Sequence, residues 1–152
     1  MMPMQAVPTS AIVGPDGALY VSQLTGFPFP VGGASIFRVV PGEEPTTYAS
    51  GFTNVMDIEF AADGTLYFTS WMRGTLNARA PDGSLRVLAR DLPGMNSLAL
   101  DARGRLFGTQ VFTGDALWEF DREGKAAPRL VRKDLGGLNG FDFGPDGRLC
   151  GP

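Results

Sequence analysis

Two asparagines, Asn96 and Asn139, stand 43 residues apart in matching surroundings, Asn96-Ser-Leu-Ala-Leu and Asn139-Gly-Phe-Asp-Phe. Each precedes a turn glycine, Gly104 or Gly147, by eight positions. A side-chain amide oxygen suits a hard cation: Ca2+ foremost, otherwise Mg2+ or Zn2+. The same residue can also cap the turn that enters a strand by bonding its own backbone. Both readings stay open for the pair. The matching positions elsewhere hold Thr9 and Met56, and one residue further on come Ser10, Asp57, Ser97 and Gly140. Asp57 is the carboxylate of this set: a third ligand, or a solvated channel residue. Glu59 and Asp142 share another repeat position and are expected to stay in water.

Composition removes several chemistries. The chain has no histidine, so it cannot itself supply a Ser-His-Asp or Cys-His site or a His-bound metal. Its single cysteine, Cys150, cannot form an intramolecular disulfide and reads as a small apolar residue. A net charge of −3 gives little pull toward nucleic acid or anionic lipid. No Gly-rich element precedes a helix to cradle a phosphate. No apolar run approaches a membrane span, and residues 1–7 lack the charged start of a leader. The compartment stays open.

The elements that must position the asparagines are repeats. Four segments end in similar hairpin turns, Asp16-Gly17, Asp63-Gly64, Arg103-Gly104 and Asp146-Gly147, at intervals of 47, 40 and 43 residues. That period marks propeller blades. Apolar residues alternate before each turn, as in Ile58 and Phe60 or Leu98 and Leu100, and a second hairpin follows in the first three units. The 21 glycines and 12 prolines in 152 residues fit a chain that turns often. The fold class read here is all-β: a β-propeller of four-stranded antiparallel blades. About three and a half blades are present, as one partial propeller over 1–152. The blades run about 8–52, 53–94 and 95–137, with a half blade at 138–152. An arc of this kind belongs to a longer protein, or chains join as a homodimer to complete a ring; a break within a blade favours the longer protein.

In such a ring the entries to the inner strands and the loops between second and third strands open on one end. The expected mouth therefore gathers Asn96, Asn139 and Asp57. Around them stand Gln23, Phe27, Phe29, Trp71, Arg73, Gln110 and Phe112 as contacts for a small-molecule ligand. The stretch Thr25-Gly-Phe-Pro-Phe-Pro-Val-Gly-Gly is the least ordinary, and it reads as a rim contact or as a loop tucked over a blade edge.

The strand-turn-strand units, above all Leu138-Asn-Gly-Phe-Asp-Phe-Gly-Pro-Asp-Gly-Arg-Leu, resemble six-bladed propellers of the senescence-marker/gluconolactonase type and their NHL-like relatives. Residues 8–60 are similar to the ScyD/ScyE proteins associated with scytonemin biosynthesis, through Leu24-Thr-Gly-Phe-Pro-Phe-Pro-Val-Gly-Gly-Ala and Gly51-Phe-Thr-Asn. The first resemblance implies a six-bladed ring of which roughly half is present. It also implies a divalent-metal-dependent hydrolase of a small lactone or ester, with Asn96 and Asn139 among the ligands and Asp57 as helper. The ligand Glu that the family carries in its first blade is replaced here by Pro8-Thr9-Ser10. The second resemblance implies a non-catalytic propeller that binds a small molecule or a protein partner. Relatives are often exported.

Overall fold

The computed structural model describes residues 6–151; residues 1–5, which carry most of the stretch read above for a leader, lie outside them. Every described element is a strand, and no helix is long and apolar enough to cross a membrane. Strands β1 (Ala6–Val13), β2 (Leu19–Thr25), β3 (Ala34–Val39) and β4 (Thr46–Phe52) form one sheet in chain order. A second sheet holds β5 (Val55–Phe60), β6 (Leu66–Ser70), β7 (Thr75–Arg79) and β8 (Leu85–Ala89). The third holds β9 (Met95–Leu100), β10 (Leu106–Gln110), β11 (Ala116–Phe120) and β12 (Arg129–Lys133). A two-stranded sheet of β13 (Asp142–Phe143) and β14 (Leu149–Cys150) follows. All pairings are antiparallel.

The hairpin turns follow from their glycines. Gly64 has φ +81° and its N–H bonds Ala61 O at 2.9 Å. A side chain there would resist that backbone. Asp63 Oδ1 accepts from Thr65 N at 2.9 Å, and Asp146 Oδ1 accepts from Arg148 N at 3.0 Å. Where Arg103 replaces the turn aspartate, Asp101 takes over, accepting from Arg103 N at 2.9 Å and Arg105 N at 2.8 Å.

Alternation along the strands then builds the core. All five residues of β6 are buried, because successive side chains point to opposite neighbours. Leu66 and Phe68 pack with Ile36, Val55 and Ile58 toward the first sheet. Tyr67 packs with Leu76, Met95, Leu98 and Leu106 toward the third. Burying a side chain of this size stabilises by about 1.5–3 kcal/mol.

Contact from sheet to sheet is closest at the inner strands, β1 with β5, β5 with β9, and β9 with β13. The sheets therefore fan outward from a shared inner edge. Side chains bolt that edge. Thr69 Oγ1 donates to Asn96 O at 2.8 Å, and Thr9 Oγ1 donates to Val55 O at 2.8 Å. Leu98 N donates to Asp57 Oδ2 at 2.8 Å.

Candidate functional site

The inner strands begin at one end of the fan, and this gathers their first residues. Pro8, Thr9, Ser10, Met56, Asp57, Asn96, Ser97 and Asn139 line one cavity of about 350 Å3. Asn96 is 5% exposed, and its Nδ2 donates to Asn139 Oδ1 at 2.6 Å and to Asn139 O at 2.7 Å. Ser97 Oγ donates to Asn139 O at 2.6 Å. The repeat of 43 residues thus brings the two amides to one opening. The turn-capping alternative differs for Asn96: its amide reaches across to the next repeat and not to its own backbone. Three oxygens thus converge on one amide group, and these are the neutral donors a hard cation takes. Among the described residues no three His, Cys, Asp or Glu side chains cluster as a metal site.

Asp57 sits in the same cavity with its carboxylate already engaged. Oδ1 accepts from its neighbour Ile58 N at 2.9 Å, while Leu98 N of the third sheet holds Oδ2. Burial raises its pKa, against the pull of the Ser10 hydroxyl and of those two amides. The carboxylate is both a brace between sheets and a group that holds a proton more readily than usual.

Glu59 departs from the sequence expectation. It is half-buried rather than solvated, and its pKa is pushed up to about 7 by burial, then by the Asp57 and Asp142 charges. Asp57 lies two residues before it on the same strand face, and Asp142 occupies its own repeat position two repeats on. The position between them is Ala99, 3% exposed, so nothing there offsets the charge.

The rest of the expected mouth divides. Gln110 is 7% exposed and spans two partners, donating to Pro93 O at 2.9 Å and accepting from Trp118 Nε1 at 2.6 Å. It lines a separate cavity with Trp118 and Lys133. Gln23 is buried opposite Pro8 in the β1–β2 register. Arg73 is exposed. Phe27 and Phe29 pair edge to face at 6.0 Å between ring centroids, and Phe27 is 90% exposed. Trp71 and Phe112 form a second such pair at 6.2 Å.

A residue outside the sequence reading joins this rim to the asparagines. Gly94 N donates to Trp71 O at 3.3 Å, and Gly94 O accepts from Val111 N at 2.9 Å. Its φ is +81°, and a Cβ would run into Val111 O and the Thr113 hydroxyl. Gly94, Asn54 and Gly137 all stand ten residues before a turn glycine, with φ of +81°, +53° and +78°. The recurrence of Gly or Asn at that place was the available signal.

No protein-family model matches the sequence, and no curated protein sequence matches it. Solved structures do match in shape. A calcium-binding protein, regucalcin, from Agrobacterium tumefaciens superposes with a TM-score of 0.73 at 24% identity, over 93% of this chain and 51% of its own. A gluconolactonase from Xanthomonas campestris gives 0.73 at 19% identity, over 95% and 55%. The virginiamycin B lyase of Staphylococcus aureus gives 0.64 at 14% identity, over 98% and 67%. The chain is a partial β-propeller. Its three complete sheets are four-stranded blades, the inner strands line the axis, and Asn96 and Asn139 open on one mouth. The chain spans about half the length of the gluconolactonase and regucalcin structures it matches.

Proposed function

We propose that the mouth of this propeller belongs to a gluconolactonase-like hydrolase of small lactones or esters that depends on a divalent cation, Ca2+ before Mg2+ or Zn2+. The observation that carries this reading is the convergence of Asn139 Oδ1, Asn139 O and Ser97 Oγ on the Asn96 amide, the last at 3.4 Å. Rotating that amide would bring a fourth oxygen into the group, an arrangement that a cation stabilises and that repels itself without one. Asn96 and Asn139 would hold the ion, which supplies Lewis-acid polarisation of a carbonyl when bound. Asp57 serves as the helper: its raised pKa lets it hold a proton from water, and the Leu98 amide fixes its orientation. Further ligands come from blades that complete a six-bladed ring, supplied by a longer chain or by a second copy. Light scattering on the 152-residue chain separates these: a dimer supports the second copy, and a compact monomer supports the longer chain.

Calorimetric titration with Ca2+ tests the central claim. Binding that Asn96→Ala and Asn139→Ala each weaken at least tenfold is the expected result. Absence of binding by any of the three ions to the completed ring sinks the hydrolase reading.

One observation favours a second reading, a non-catalytic propeller that binds a small molecule or a protein partner, as ScyD/ScyE-like or NHL-like proteins would. Asp57 already accepts from two backbone amides, and the first blade offers Pro8-Thr9-Ser10 where a carboxylate would be needed. Ligand binding that ignores Ca2+ would support it.

A further inference from the structure

A third cavity, about 220 Å3, contains neither asparagine in its walls. Trp71, Met72, Pro93, Gly94 and Thr113 line it. Its place is set by Gly94, whose N–H holds Trp71 O and whose carbonyl holds Val111 N. Gly94 lies two residues before Asn96, so the cavity and the amide pair share one short stretch of backbone.

The lining says what fits. Its surface is mainly indole, proline ring and thioether, with the Thr113 hydroxyl as the polar side chain. A polyhydroxylated ligand would lose its water here without enough partners in return. A flat apolar group would not, and an apolar cavity of roughly 150 Å3 is enough for benzene. Trp71 Nε1 is buried and meets no protein acceptor, so the indole turns away its polar atom and offers the cavity its apolar surface.

Phe112 adds an independent sign. It is 87% exposed and has φ +66°, and its ring sits edge to face on Trp71. A bulky aromatic in the left-handed region is strained, and an exposed ring gains nothing from burial. Covering the ring would recover its exposed apolar surface, and backbone strain of this kind gathers at ligand clamps. A cavity this small does not admit a folded partner.

We propose that the cavity of Trp71, Met72 and Pro93 receives an aryl group of the substrate while its carbonyl end reaches the Asn96–Asn139 cavity. The substrate class is then aryl-substituted lactones and esters. This rests on the hydrolase reading for the carbonyl end, but the aryl cavity can be tested without turnover. Calorimetry in EDTA compares γ-phenyl-γ-butyrolactone with γ-butyrolactone on the 152-residue chain. The phenyl lactone is expected to bind at least about tenfold tighter. Phe112→Ala, a surface change that spares the core, should remove at least about fivefold of that preference, and Trp71→Leu should remove more. Asn96→Ala should leave the preference in place. A phenyl gain below about twofold, or a gain that survives both aromatic substitutions, overturns the aryl assignment. A preserved phenyl preference with no turnover of either lactone in Ca2+ supports the aryl cavity and removes the hydrolase.

Discussion

The two ends of the propeller are built on different terms. At the Asp-Gly turn end, carboxylates are paired, with Asp16 and Asp63 open to solvent and Asp101 largely covered. Asp16 pairs with Arg38 Nε at 2.7 Å, Asp63 with Arg122 at 3.1 Å, and Asp101 with Arg105 at 2.7 Å. Hydrogen bonds to the Arg38 side chain hold Asp16 below its ordinary pKa, and hydrogen bonds from Thr65 do the same for Asp63. At the mouth end, Asp57 is raised by burial; Glu59, further along β5 in a cavity shared with Asp63 and Asp101, is raised to about 7 by the same cause. Both Asn54 amide atoms and Trp71 Nε1 are buried without partners. Phe29 and Phe112 occupy left-handed backbone. One end is arranged for stability; the other retains strain and unspent hydrogen bonds, as binding sites do.

The sharpest way to break this contrast is a pair of glycine substitutions. Gly94→Ala drives a Cβ into Val111 O at the mouth, while Gly147→Ala at a turn meets nothing within 4 Å and bears only its φ of +75°. Denaturant unfolding should show a loss above about 3 kcal/mol for the first and about 1 kcal/mol for the second. Equal losses would mean the mouth is no more tightly determined than the turns.

Next in size is Asp57→Ala, which leaves the Leu98 and Ile58 amides without their acceptor. A loss of about 1–3 kcal/mol is expected by the same measurement.

Glu59→Gln sharpens the comparison through pH. The folded carboxyl titrates at about 7 against 4.5 in the unfolded chain, so the fold prefers the protonated form. That preference is complete below the unfolded value and is lost as pH rises through about 7. Wild type and variant should match near pH 4, with the variant ahead by on the order of 1–2 kcal/mol above pH 7, after allowing for partial exposure. A constant difference across that range would count against the burial of Glu59.

Smallest is Asp16→Asn at the turn end. The Arg38 pair is open to solvent, so the unfolding midpoint should barely move in ordinary salt.

The repeat period made most of the fold readable, because a hairpin with a fixed turn residue can be counted. It also placed Asn96 and Asn139 at one level of the ring. What counting cannot supply is lateral reach. Asp57 extends to an amide 41 positions on, and Gln110 turns sideways to Trp118. Both are decided by the neighbouring side chains. Glu59 was misjudged for the same reason: its environment depends on Asp57 and on the small Ala99 between it and Asp142. Gly94 carries a countable sign, the Gly or Asn ten residues before each turn glycine, but the close approach of two backbones that gives it its role follows from no pattern of polarity.

The clasp between Asp57 and Leu98 has a consequence for hydrogen exchange. Most strand amides are shielded by the strand beside them and open when that strand peels away. The Leu98 N–H is shielded by a carboxylate from another blade, so it exchanges when two blades part. A single amide proton thereby times the separation of neighbouring blades, apart from the fraying of either one.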